Sequence, residues 1–310
     1  MKLSICVPIY GTEKYIERCA RSLFEQTYAS IEYIFVNDCT KDHSVEILNK
    51  VLNDYPHRKG QTHIISHETN QGLAGSRLTG MFNSHGDYLW FVDSDDYVEK
   101  DAVAKCLQGM SDGYDMIIFN YYKENLECQI PYKEKEISVT NVLTNHVSPS
   151  IWKCVVRRDL LFKNEIYPIV GLNYSEDFLL LSKLVLVSNR IIQLNNSFLY
   201  HYELGNEQSY LHTPSVNSME NCIDVMLSVV SFFKKHGSLK KYHQALAIRF
   251  ALCYFDLYKY DPNNSKCDVA LSMIGRLDTF IYALIVLLGN VRAKYLIELY
   301  KKLFLKIRSI

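Results

Sequence analysis

The chain lacks net charge: its 310 residues hold 34 lysines and arginines against 34 aspartates and glutamates. With no basic excess to track a phosphate backbone, nucleic acid is not an expected partner. It lacks any CxxC pair. The nine cysteines (Cys6, Cys19, Cys39, Cys106, Cys128, Cys154, Cys222, Cys253 and Cys267) are odd in number, which argues against a zinc site and a disulfide framework. A reducing compartment is the natural reading. Long apolar runs are also missing. The longest, "FIYALIVLL" at 280–288, is about half of the roughly 20 residues that span a bilayer. The opening "MKLSICVPIYG" has a short apolar run broken by Pro8 and Gly11, unlike a signal peptide. A cytoplasmic location is therefore expected. Repeats and long linkers are absent too.

What is present is apolar mass. Hydrophobic residues make up 48% of the chain, which supplies a large core and excludes general disorder. The 23 tyrosines serve either pockets that stack rings or the core. Along the first third, short apolar runs alternate with helical spacing. Strands are predicted at 3–10, 31–38, 62–68 and 88–96, helices at 12–27 and 42–55, with Thr12 capping the first, and a helix or a loop entering one at 72–85. Such alternation implies a mostly parallel, doubly wound sheet, whose ligands bind beyond the carboxyl ends of the strands. The polar clusters "YGTE", "NDCTKD", "ETNQG" and "DSDD" lie at those four ends. Strands at 114–122 and 190–202 and a helix at 175–188 come next, and the chain reads as helices from about 215.

The run "FVDSDD" ends a buried-looking strand in three carboxylates. Residues two apart on an extended chain share a face, so Asp93 and Asp95 would converge and Asp96 would support them from behind. Two converging carboxylates make a hard-oxygen site for Mg²⁺ or Mn²⁺. The plainer alternative is a solvated turn.

Four blocks, "SICVPIYGTEKYIERCARSLFEQTY", "IEYIFVNDCTKDHS", "NQGLAGSRLTG" and "GDYLWFVDSDDYV", resemble in order and spacing the inverting family-2 glycosyltransferases. "IWKCVVRRDLLF" and "YSEDFLLLSKLV" are similar to that family's later blocks, so the resemblance covers about 2–202. It implies a GT-A (Rossmann-like) α/β fold, a mixed, mostly parallel sheet flanked by helices. The implied organisation is a catalytic domain at 1–205, with a nucleotide half at 1–97 and an acceptor half at 98–205, and a helical region at 206–310. It implies a UDP-sugar donor and a glycan or lipid-linked glycan acceptor in surface polysaccharide synthesis. Pro8, Tyr10 and Glu13 would line the nucleotide pocket, Asp38 would accept from the base, and Arg77 would approach the diphosphate. Asp93 would contact ribose or metal, Asp95 would bind metal, and Asp177 would be the general base, with Glu176 orienting the acceptor. Trp152 and Lys153 would lie near the acceptor or in the core. His201 would contact metal or phosphate, or simply end a strand.

The chain departs from the family pattern in places. Asn37 replaces an aspartate. Cys39 replaces a glycine, which implies a turn without positive φ. Ser76 and Leu78 replace alanine and asparagine, and Glu203 falls where an arginine is expected. The basic amphipathic tail at 290–310 suits a membrane surface, packing on the domain, or a second protomer. A non-catalytic nucleotide-binding relative and a nucleotidyltransferase remain as alternatives. The first is disfavoured by retention of both acidic motifs, and the second by the single glycine and lysine in "PIYGTEKY".

Overall fold

The structure is a computed structural model, and the residues described are 1–125, 127–206, 215–283, 285 and 295–297. The chain forms two units. The first comprises Met1–Glu134, Ser150–Asn173 and Val187–Ser209; the second comprises Lys135–Pro149, Tyr174–Leu186 and Tyr210–Ile310. Two segments from within the expected 1–205 domain thus belong to the second unit.

The first unit opens with β1 (Leu3–Ile9), α1 (Ile16–Phe24), β2 (Ile31–Asn37), α2 (Ser44–Asp54), β3 (Thr62–Ser66), α3 (Gly72–Phe82) and β4 (Tyr88–Phe91). Every residue of β1 is buried, as expected of a parallel strand covered on both faces. In α1 the buried residues Ile16, Cys19, Ala20, Leu23 and Phe24 recur at helical spacing, so one stripe faces the sheet. Thr12 does not cap this helix with its side chain. Its carbonyl accepts from the Tyr15 and Ile16 amides, and α1 begins at Ile16. Then come β5 (Tyr97–Val98), α4 (Ala102–Ser111), β6 (Met116–Glu124), β7 (Gln129–Tyr132), α5 (Val139–Leu143), β8 (Cys154–Arg157), α6 (Arg158–Lys163), α7 (Glu176–Val187) and β9 (Ile191–Glu203).

Among the described residues the strands form one sheet, in the order β3-β2-β1-β4-β8-β6-β9-β5, with β7 on β6. The first four are parallel neighbours. β8 runs antiparallel to both β4 and β6, so the second half is mixed. The carboxyl ends of β1, β2 and β4 therefore share one edge. At the opposite edge, buried Glu32 accepts from the Lys2 ammonium, the Ser4 hydroxyl and the His85 and Gly86 amides. That knot stays clear of the polar strand ends.

The second unit holds α5, α7, α8 (Val216–Lys235), α9 (Leu239–Tyr260) and α10 (Ser265–Leu277). Ser215 and Ser218 form a reciprocal capping box at the start of α8, which satisfies orphan amides. In α7, Phe178 through Val185 are all buried, as in a helix enclosed on every side. That run includes Lys183, which is 6% exposed. Its Nζ donates to Ser228 Oγ at 2.9 Å and lies 5.4 Å from the Phe232 ring centre. Among the described residues no carboxylate pairs with it. Burial pulls its pKa down from 10.5 to about 8.

Between those values the unfolded chain binds the extra proton, so stability rises with pH across that window and the penalty is complete below about 8. Lys183→Met is expected to stabilise the protein at pH 7 by roughly 2–3 kcal/mol, as the depressed pKa implies. In paired thermal melts the advantage should shrink between pH 8 and 10.5. A variant no more stable than wild type at pH 7 would refute this.

The 290–310 tail, apart from 295–297, lies outside the described residues, and with it the membrane and protomer readings. Among the described residues no helix is long and apolar enough to cross a membrane.

Candidate active site

The site is built from the segments just past β1, β2 and β4. Pro8 is buried within β1 opposite Val36. Tyr10, the first residue past β1, is 55% exposed. Glu13 is exposed, its amide donating to Asp42 Oδ2 at 2.9 Å and its Oε2 accepting from the His43 amide at 3.1 Å. These bonds fasten the β1–α1 loop to the start of α2.

Asp38, just past β2, is only 2% exposed. Its Oδ1 accepts from His67 Nδ1 at 2.7 Å and from the Gln71 amide at 2.8 Å, and its Oδ2 from the Gly72 amide at 2.7 Å. Anionic oxygen at a helix N-terminus satisfies amides that have no partner within the helix. Gly72 has φ +75, and a Cβ there would fall 2.2 Å from Asn173 Nδ2, so only glycine lets α3 start here. The turn after β2 overturns one expectation: Cys39 has φ +59. Cys39 sits between the buried Asp38 and Thr40, whose amide bonds to Asn37 Oδ1 at 2.9 Å. A side chain there costs about 1–2 kcal/mol.

The acidic cluster also differs from expectation. β4 stops at Phe91, so Asp93, Asp95 and Asp96 are not on a strand, and the alternation of faces does not arrange them. They lie in a turn closed by the Asp96 amide on the Asp93 carbonyl, at 3.1 Å. Asp93 Oδ1 accepts from Arg77 Nη2 at 2.8 Å. That arginine, on α3, is 1% exposed. Asp95 Oδ2 accepts from Asn206 Nδ2 at 2.8 Å. Burial first, and then the charge of Asp93, push Asp95 up to about 6. Asp96 is 1% exposed. Its carboxylate accepts from the Tyr200 hydroxyl at 2.6 Å and the Glu203 amide at 2.8 Å. Burial and its two acidic neighbours hold its pKa well above the usual carboxylate range.

The remaining residues fall elsewhere. Trp152 is 4% exposed and stacks on Tyr200 at 4.4 Å. Lys153 is fully enclosed, paired with the equally enclosed Glu134. His201 has both ring nitrogens engaged, with Glu99 at 2.9 Å and Glu124 at 3.1 Å, and its ring stacks on Tyr97. Glu176 and Asp177 open α7 in the second unit. There Ser175 has φ +66, Glu176 is buried and Asp177 half-buried.

Two departures find explanations. Glu203 pairs with Arg18 of α1 at 2.8 Å, so a cation reaches this place from another element. Ser76 is 1% exposed and its hydroxyl has no hydrogen-bond partner among the described residues, so alanine would serve equally there. Sequence reasoning missed His67, Asn206, Tyr200 and Arg18. Of these His67 and Tyr200 carried a local signal, each near the end of a predicted strand.

Among known proteins the chain is 28% identical over 272 residues to glycosyltransferase GlyA of Streptococcus pneumoniae, covering 81% of this chain and 38% of that protein. It is 29% identical over 232 residues to TarS of Staphylococcus aureus, a poly(ribitol-phosphate) beta-N-acetylglucosaminyltransferase, covering 73% of this chain and 39% of TarS. The chain thus spans about two fifths of each. The crystal structure of TarS 1–349 with UDP-GlcNAc superposes with a TM-score of 0.73 at 22% identity, covering 100% of this chain and 92% of that one. The mannosyltransferase PcManGT of Pyrobaculum calidifontis, solved with GDP-Man and Mn²⁺, gives 0.58 at 14% identity, covering 97% and 83%. Both likenesses concern the fold, which is that of GT-A glycosyltransferases. The family model for glycosyl transferase family 2 matches residues 4–166, over half of the chain and the stretch that carries Tyr10, Asp38, Arg77, Asp93 and Asp95: the chain belongs to that family.

Proposed function

We propose that the chain is an inverting glycosyltransferase. It moves a sugar from a UDP-sugar to a hydroxyl of a glycan or lipid-linked glycan in surface polysaccharide synthesis. The observation that carries this is the Asp93–Asp96 turn held by buried Arg77, at the sheet edge where β1 and β2 deliver Tyr10 and Asp38. An aromatic face suits a base, a carboxylate suits its N–H, and an arginine suits a diphosphate. TarS, which shares the fold, was solved with UDP-GlcNAc, which supports a UDP-sugar donor.

Asp93 and Asp95 would hold Mn²⁺ or Mg²⁺. Among the described residues no group of three or more metal-binding side chains occurs, and the two carboxylates would be joined by waters and the donor's phosphates. Their oxygens suit hard cations, and Mg²⁺ usually keeps several waters and takes the substrate's phosphates. Asp95 is pushed up by burial first and then by the charge of Asp93, and a bound cation would offset both. When bound, the cation offsets the charge that grows on the departing diphosphate. Arg77 orients Asp93, and Asp96 anchors the turn from inside. Asp177 takes the proton from the acceptor hydroxyl as it attacks the anomeric carbon, and Glu176 helps place the acceptor. Trp152 and Lys153, both enclosed, support the acceptor side from within the core. The basic amphipathic sequence of the 290–310 tail would suit a membrane surface, a second protomer or packing on the domain.

Release of UDP from a panel of UDP-sugars, with Mn²⁺ and with chelator, tests the proposal. Metal-dependent release is expected. Binding of a nucleoside triphosphate with no binding of UDP would favour the nucleotidyltransferase reading instead.

A further inference from the structure

We propose that His67 is a positioning residue for nucleobase selection: it holds the Asp38 carboxylate so that its one open lone pair faces an incoming base N–H. The inference rests on the UDP-donor reading above. A carboxylate offers about four acceptor sites. Among the described residues three are taken, two on Oδ1 by His67 and Gln71 and one on Oδ2 by Gly72. The remaining site is on Oδ2. Because a carboxylate only accepts, Nδ1 of His67 must carry the proton. The far nitrogen, Nε2, lies 2.8 Å from Thr79 Oγ1, and the His67 amide donates to the Asn37 carbonyl at 2.9 Å. The ring is thus gripped at both nitrogens and its backbone is tied to β2. Its side chain is 7% exposed. Thr79 lies on the same helix as the Gln71 and Gly72 amides that hold Asp38, so α3 grips the carboxylate directly and again through the imidazole.

Uracil presents N3–H to such an oxygen and gains a charge-assisted bond. Cytosine presents an unprotonated N3, whose lone pair the carboxylate repels. Rotation of Asp38 would blur that contrast, and the imidazole bond opposes it together with the Gln71 and Gly72 amides.

The test is calorimetric titration of the full chain with UDP and with CDP in Mn²⁺, for wild type, His67→Asn and His67→Gln. An Asn amide nitrogen reaches where Nδ1 lies, whereas a Gln amide reaches toward Nε2. His67→Gln should weaken UDP binding about tenfold, the size expected for one hydrogen bond to a charged group, and reduce the preference for UDP over CDP. His67→Asn should keep both near wild type. Equal behaviour of the two variants, or an unchanged preference in a folded His67→Gln, would overturn the inference alone. Absence of UDP binding in wild type would remove the donor reading and this inference with it. Should His67→Gln not fold, Thr79→Val carries the comparison, with a smaller fall in preference expected and an unchanged preference overturning it.

Discussion

Asp177→Asn is expected to lower sugar transfer by about a thousandfold, within the range that general-base catalysis contributes, while leaving UDP binding unchanged. The substitution keeps size and polarity but removes the only function the proposal gives this residue, acceptance of a proton from the acceptor. Asp177 sits at the second position of α7, half-buried, behind a left-handed Ser175. An amide keeps the size of the acid at that place, so a fall in rate with unchanged UDP binding would report chemistry. Transfer at the wild-type rate would remove Asp177 as the base. A parallel collapse in UDP affinity would assign it to donor binding.

Asp95→Ala is expected to cost about a hundred- to a thousandfold in turnover, the scale of losing a group that stabilises charge in the transition state. The remaining activity should respond little to Mn²⁺. Stability should move the other way. Burial and the charge of Asp93 already disfavour the ionised carboxylate, so the variant should melt no lower than the metal-free wild type. Such opposition between activity and stability marks groups placed for function. Asp96→Ala provides the contrast. Its carboxylate accepts from the Tyr200 hydroxyl and the Glu203 amide inside the protein, so its loss should lower the melting temperature before it touches metal response. Metal stimulation that survives in Asp95→Ala would remove the cation from this turn.

Much of the first half of the fold was legible because its signals are local. The apolar run of β1 and the spacing of Ile16, Cys19 and Leu23 in α1 state strand and helix within one stretch of chain. The parallel connection then brings the polar residues after β1, β2 and β4 to one edge. Local rules misled at three points. Asp93 and Asp95 were paired by strand alternation, whereas a turn arranges them. Thr12 looked like a cap but offers its carbonyl. Cys39 looked free of positive φ and is not.

By itself the sequence determined the family, the strand–helix alternation and the rim where Tyr10, Asp38, Arg77, Asp93 and Asp95 belong, since periodicity and short motifs need only neighbours along the chain. Tertiary structure alone decided how those groups are held. Asn206 reaches Asp95 across 111 positions and Tyr200 reaches Asp96 across 104, while His67 joins β2 to α3 through Asp38 and Thr79. It also enclosed Trp152 and Lys153 and turned both nitrogens of His201 toward glutamates. Hydrogen bonds between distant segments depend on how strands order themselves in the sheet, and the residues involved carry no trace of one another in the local sequence.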